Sequence, residues 1–286
     1  MKYLLFFIFI LISKDSYSQD IFVFKSRYNK EVQKQLKEYG FKAMNLLTVG
    51  NIDPNRTNQV DEEKVKQFLS RFFPKKGHLS YLVIDWEEDL YKDLSRSQKS
   101  KEFASAVEMY IRLIEIIKKY DKSIKVGIYG LPFRLSPNSK NISFLNKFDQ
   151  LFEHVDFLCP SLYTLNPSRE IGKKKNSSYL IKNLDQVFSY AGRLNKPVIP
   201  FVLEMVHGNN EVYGRTILPD VEFLENLKTI INYNYQGHKV QGVIWWAPSK
   251  AGDAYTKAFR FQGNNNSENR NFYMKHISNK VKSLVK

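Results

Sequence analysis

Short apolar runs alternate with longer segments of helical period along almost the whole chain. Asp20-Ile21-Phe22-Val23-Phe24 reads as a first strand, followed by a helix from Asn29 to Tyr39 with Val32 and Leu36 on one face and Gly40 at its end. Phe41 to Val49 is a second strand. After the loop 50–55, Asp61 to Phe73 places Val65, Phe68, Leu69 and Phe72 at the spacing of one helix face. Pro74-Lys75-Lys76-Gly77 turns the chain into a third strand, Tyr81-Leu82-Val83-Ile84, which runs straight into Asp85-Trp86-Glu87-Glu88. The longest helix starts at Ser95 or Ser97 and carries Phe103, Val107, Tyr110, Ile111, Ile114 and Ile117 to Tyr120. Four more strands are expected: Ile124 to Tyr129, Val155 to Tyr163, Lys196 to Leu203 and Val240 to Trp246. Helices over 144–152, 179–194 and 220–235 separate them. The loop before the second of these helices carries Arg169 and Lys173-Lys174-Lys175, and a basic helix, Phe272 to Val285, ends the chain.

Strands that alternate with helices, without a composition break, predict a parallel α/β sheet in one domain. Seven strands in 286 residues favour a distorted TIM-like (β/α) barrel with about seven parallel core strands over an open doubly wound sheet. The barrel is expected over 20–262, with 263–286 as a polar linker and the basic helix. Residues 1–19 read as a cleavable signal peptide. Lys2 is followed by the apolar run Tyr3 to Ile12, too short to span a bilayer, and Ser16-Tyr17-Ser18 supplies small residues for cleavage. The expected destination is secreted or periplasmic. No later stretch is long and apolar enough for a membrane span. G-x-G-x-x-G and P-loop turns are absent, as is the G-x-S-x-G elbow of serine hydrolases.

The chemistry concentrates where the third strand ends. Side chains alternate along a strand, so Val83, Asp85 and Glu87 share one face and Leu82, Ile84 and Trp86 the other. Two carboxyls on one face at the end of a buried strand repel each other, which holds a proton on one of them and makes a general acid. The plainer alternative is an acidic exit from the core or a helix cap. Barrels place their chemistry at the C-terminal strand ends, and these carry Asp85 and Glu87, Tyr129, Tyr163, Glu204 and Trp245-Trp246. Acids and aromatics converging at one mouth suit a sugar, with Glu87 and Asp85 as catalytic candidates. Tyr163, Trp246, Tyr129, Trp86 and Glu204 are candidate sugar contacts.

Charge narrows the ligand. The chain carries +15, and removal of Lys2, Lys14 and Asp15 with the signal peptide leaves +14. Such a surface attracts polyanions, and with no nucleic-acid motif an acidic polysaccharide is the expected partner. Lys174, in the lysine triplet, is a candidate contact for its carboxylates. The single cysteine, Cys159, excludes an internal disulfide and reads as a buried free thiol. The five histidines, 78, 154, 207, 238 and 276, lack metal-ligand spacing, so no cofactor or metal is expected. His207, just past the sixth strand, is the one nearest the mouth.

Val83-Ile84-Asp85-Trp86-Glu87-Glu88 resembles the V-I-D-W-E-E signature of the hyaluronidase family of glycoside hydrolases. Gly127-Ile128-Tyr129-Gly130-Leu131-Pro132, Pro160-Ser161-Leu162-Tyr163 and Gly242-Val243-Ile244-Trp245-Trp246 are similar to three further family segments, in the same order. The resemblance covers roughly 20–250 and implies a seven-stranded β/α barrel. It also implies substrate-assisted hydrolysis, in which the sugar's N-acetyl group attacks its own anomeric carbon. By the same resemblance Glu87 is the general acid and base, Asp85 orients the acetamido nitrogen, Tyr163 lines the sugar site, and Trp246 packs on the acetamido group. The chain departs from the family where Asp89-Leu90-Tyr91 replaces W-R-P, removing an arginine. Phe133-Arg134-Leu135-Ser136-Pro137-Asn138 lacks the family's cysteine and tyrosine. The implied activity is an endo-β-N-acetylhexosaminidase on hyaluronan or chondroitin. The alternatives are a chitinase-like hydrolase of neutral N-acetylglucosamine polymers and a non-catalytic carbohydrate-binding barrel.

Overall fold

Alternation along the strands sorts the apolar residues into two separate cores. Phe22, Phe24, Met44, Val83, Phe157, Cys159, Tyr163, Ile199, Phe201 and Ile244 pack together inside the ring of strands. Their chain neighbours, among them Ile21, Val23, Leu82, Ile84, Trp86, Ile128, Val202, Val243 and Trp245, pack outward against the helices. The computed structural model describes residues 19–136, 146–246 and 266–285. Residues 1–18 of the expected signal peptide, the end of the expected barrel over 247–262 and the first three residues of the expected linker, 263–265, lie outside the described residues.

The elements in chain order are β1 (Asp20–Val23), α1 (Lys30–Glu38), β2 (Lys42–Ala43), β3 (Asn45–Thr48), α2 (Val49–Ile52), α3 (Glu62–Phe72), β4 (Ser80–Asp85), α4 (Asp89–Asp93) and α5 (Lys101–Tyr120). They continue with β5 (Ile124–Ile128), α6 (Asp149–His154), α7 (Ser168–Ile171), α8 (Lys173–Leu194), β6 (Phe201–Val202), α9 (Asp220–Ile231), β7 (Asn234–Tyr235), β8 (His238–Lys239), β9 (Gly242–Trp245) and α10 (Asn266–Lys282). Parallel ladders run β2-β1-β9-β6 and β3-β4-β5, and β7 and β8 form a small antiparallel pair. Met44 links the two ladders between β2 and β3, its amide donating to Val23 O at 2.9 Å.

Isolated parallel bridges complete the circuit on the other side, pairing Tyr129 with Cys159, Leu158 with Val198 and Ser161 with Phe201. The fold is therefore a distorted parallel α/β barrel whose sheet is not closed by a continuous ladder. Proline explains the gaps. Pro160, Pro197 and Pro200 have no N–H to give, so the expected strands over 155–163 and 196–203 shrink to bridges and to the two residues of β6. The carbonyls still serve, accepting from Phe201 N, Leu158 N and Ile244 N at 2.8 Å each. Gly127 makes room inside, since a Cβ there would sit 2.6 Å from the Phe157 ring.

Helix starts follow their caps. Asn29, Asp61 and Ser100 accept from the amides of Val32, Lys64 and Phe103. The helix expected to be longest, α5, thus begins at Lys101 rather than at Ser95 or Ser97, because the chain first forms the short α4; its 20 residues are exceeded by the 22 of α8. Phe72, expected on a buried face, is 46% exposed, and Phe73 turns inward instead. α8 begins six residues before the expected Tyr179, which turns the lysine triplet from loop into first helical turn. The last helix begins at Asn266 rather than Phe272, and its Tyr273, Met274, Ile277 and Val281 are buried in the outer core beside α1 and α9.

Ile277 is fully buried, so Ile277→Ala is expected to cost about 2–4 kcal/mol in urea unfolding of the full chain. A loss below about 0.5 kcal/mol, typical of a surface position, would detach α10 from the cooperative fold.

Candidate active site

Asp85 ends β4, and Glu87 follows two residues on, so both carboxyls leave the strand on its inner face with Val83. They reach each other and hydrogen bond side chain to side chain. Leu46, Tyr129, Tyr163, Phe201 and Trp246 complete the wall of a narrow cleft of about 70 Å³ around them. On the same scale one water needs about 10–15 Å³, so the cleft has room for a small substituent. Burial raises the Asp85 carboxyl to about 6, opposed by the charge of Arg27. Burial, then the charge of Asp85, raises Glu87 to about 7, opposed by Arg134. Glu87 keeps an exposed surface at the cleft opening. Near neutral pH the pair therefore holds a proton, and Glu87 has the stronger hold on it.

The aromatic wall is built from four strand ends. Tyr129 and Tyr163 are hydrogen-bonded through their side chains, and Tyr129 meets Phe201 edge-on at 4.8 Å. Trp246 stands edge-on to Phe24 at 5.0 Å, and the Arg27 guanidinium lies 5.5 Å from its ring. On the other flank Arg134 lies 5.9 Å from the Tyr163 ring and 3.3 Å from His207 Nε2. The Asn209 amide points at His207 Nδ1 from 3.2 Å. Burial, then the Arg134 charge, holds this ring neutral, with its pKa lowered to about 4. No group of three or more metal-ligating side chains occurs among the described residues.

Five of the expected site residues thus meet: Asp85, Glu87, Tyr129, Tyr163 and Trp246. Three do not. Trp86 points outward with Leu82 and Ile84, buried against Tyr110, whose hydroxyl donates to Trp86 O at 2.7 Å. Glu204 also faces outward, one step past inward Leu203, and accepts from Trp245 Nε1 at 2.7 Å. Its burial in the helix layer makes it a structural acid. Lys174 is exposed on the first turn of α8, outside the cleft lining, and its neighbour Lys173 pairs with Glu225 at 3.0 Å. Cys159 is the expected buried thiol, donating to Ile128 O.

Three residues at the site were not anticipated: Arg27, Arg134 and Tyr91. Tyr91 comes from α4, and its hydroxyl sits where a Cβ on Gly130 would lie, 2.4 Å away, so Gly130 is required there (its φ is +74°). Burial and the charge of Glu87 push the Tyr91 phenol well up. All three follow strand ends by a few residues, where barrels gather function, and that position was the available signal.

No protein-family model and no curated protein matches this sequence. Solved structures do. Bee venom hyaluronidase in complex with a hyaluronic acid tetramer aligns with TM-score 0.64 at 14% identity, covering 94% of this chain and 98% of that one. A monoclinic crystal form of bee venom hyaluronidase gives TM-score 0.65 at 15% identity, covering 93% and 99%. The likeness establishes a shared barrel fold over nearly the full length of both chains.

The raised carboxyls also make a stability prediction. A native state that binds protons more tightly than the unfolded chain loses stability as pH rises from about 4 to about 7. The double variant Asp85→Asn, Glu87→Gln removes that loss. Its Tm, equal to or below that of the parent at pH 4, is expected to gain on the parent by roughly 3 °C or more by pH 8. A Tm difference independent of pH would mean the two acids titrate normally.

Proposed function

We propose that this chain is an exported glycoside hydrolase, a retaining endo-β-N-acetylhexosaminidase that cleaves an acidic glycosaminoglycan such as hyaluronan or chondroitin. The observation that carries this reading is the hydrogen bond between Asp85 and Glu87. Glycosidases that use two carboxylates hold them about 5–5.5 Å apart for retention, or about 6.5–9.5 Å for inversion, on opposite sides of the sugar. Two acids that touch cannot flank a ring. They can serve one side of it while the substrate supplies the nucleophile, as the N-acetyl group does in substrate-assisted cleavage.

The roles follow from the environments. Glu87, which keeps its proton longer and reaches the cleft opening, protonates the glycosidic oxygen and later takes a proton from the attacking water. Asp85, deeper and ionised first, accepts the acetamido N–H and offsets the positive charge that develops as the amide oxygen attacks the anomeric carbon. A cleft of about 70 Å³ walled by Trp246 and Tyr163 suits the acetamido arm, leaving the ring over the opening. The fold shared with a hyaluronidase that binds a hyaluronic acid tetramer supports the same assignment. So does the charge of +15, with Arg27 and Arg134 at the cleft.

Glu87→Gln is expected to lower kcat on hyaluronan or chondroitin oligomers by about a hundredfold or more while binding persists. Full activity in that variant would remove Glu87 from the mechanism. The acetamido-sized cleft suits a neutral N-acetylglucosamine polymer equally well, and salt separates the two substrates. Cleavage of a polyanion is expected to fall several-fold between about 0.05 and 0.5 M salt, as the Debye length shrinks. A rate insensitive to salt, with chitin oligomers cleaved in preference, would assign the neutral substrate instead.

A further inference from the structure

We infer that Arg134 forms a carboxylate-binding subsite on the leaving-group side of Glu87, a specificity element carried by the loop after β5. The inference rests on the hydrolase reading above and adds to it the residue that selects the acidic sugar.

The two guanidiniums at the cleft divide between the two acids. The Arg27 charge acts on Asp85, from beside Trp246, and the Arg134 charge acts on Glu87. In the proposed mechanism the acetamido group lies on the Asp85 and Trp246 side. A general acid reaches the oxygen that joins the cleaved hexosamine to the sugar that leaves. Arg134, beside that acid, therefore faces the leaving sugar. When an endo-hexosaminidase cuts a chain of alternating hexosamine and hexuronate, the leaving sugar is the hexuronate, which carries a carboxylate.

The arginine is held for such a task. Leu135, next in the chain, is tied to Asn183 of α8 through both backbone groups, with Leu135 N donating to Oδ1 at 2.7 Å and Asn183 Nδ2 to Leu135 O at 3.4 Å. Nη2 is oriented by neutral His207, and the Tyr179 hydroxyl accepts a hydrogen bond from the guanidinium while donating to Tyr163 O. Nη1 is buried with no hydrogen-bond partner among the described residues. A buried guanidinium nitrogen costs free energy until it meets an acceptor, and a carboxylate is the acceptor that matches its planar fork. Phe133, on the other side of Arg134, packs edge-on to Tyr91 at 5.0 Å, which anchors the loop to α4.

The test uses a hyaluronan hexasaccharide and the same oligomer with its carboxylates reduced to alcohols. Binding is measured calorimetrically in the Glu87→Gln background, so it does not depend on turnover. The native oligomer is expected to bind about tenfold or more tighter than the reduced one. Adding Arg134→Gln should shrink that preference to within about twofold, and Arg134→Lys should keep part of it, because the charge remains while the fork is lost. Lys239→Gln, exposed on β8, removes the same net charge and should leave the preference unchanged. A preference that survives Arg134→Gln, equal binding of both oligomers, or no binding of either would overturn the subsite. Unaltered Tm in the Arg134 variants excludes a general loss of fold. Turnover by the Glu87 parent separates the two claims. Arg134-dependent binding without cleavage leaves the subsite standing and removes the hydrolase. Cleavage with an unchanged preference in Arg134→Gln does the reverse.

Discussion

Asp85 and Glu87 meet because a strand returns every second side chain to the same face, and the interior they enter is walled by rings rather than water. Tyr129, Tyr163, Phe201 and Trp246 remove solvent from the pair, so the pair cannot hold two negative charges cheaply and retains a proton near neutrality. The rest of the site follows from that constraint. Arg27 and Arg134 each stand beside one acid and hold the raised values near 6 and 7, within reach of neutral pH. Proton donor, charge partner and sugar wall are thus one packed unit, and the same burial that holds the barrel interior together sets the chemistry.

That unit is costly to the fold, and the surrounding architecture offsets it. The inner core is aromatic where the ladders are weakest. Three prolines interrupt the pairing along 155–203, yet their carbonyls still accept from the neighbouring segments, and Tyr129, Phe157 and Phe201 fill the interior there. On the outside, Glu204 receives Trp245 Nε1 and the Tyr110 hydroxyl donates to Trp86 O, while Trp86 Nε1 is buried among apolar side chains with no hydrogen-bond partner among the described residues.

The fold was largely legible in the chain because strand and helix periods differ and the apolar runs kept them distinct. Seven barrel segments and the main helices fall where the pattern puts them, with boundaries shifted by caps and prolines. The acid pair was equally legible, since the alternation that puts Asp85 beside Glu87 needs no tertiary information. The same alternation, carried one residue further, excludes Trp86 and Glu204 from the site. Lys174 misled because charge was read without its helix: α8 starts earlier than its apolar stripe. What the pattern did not reveal were side chains delivered by loops. Arg27, Tyr91 and Arg134 reach the cleft through turns whose direction depends on partners far along the chain, such as Asn183 holding Leu135.

The central claim is that the acid pair keeps a proton at neutral pH while facing the cleft. Carbon-13 NMR of the labelled side-chain carboxyls, assigned with single Asp85→Asn and Glu87→Gln variants and followed from pH 3 to 9, measures it directly. The account predicts two linked transitions near 6 and 7, each moved by removal of the other acid. Two independent transitions near the ordinary carboxyl value of about 4 would contradict it.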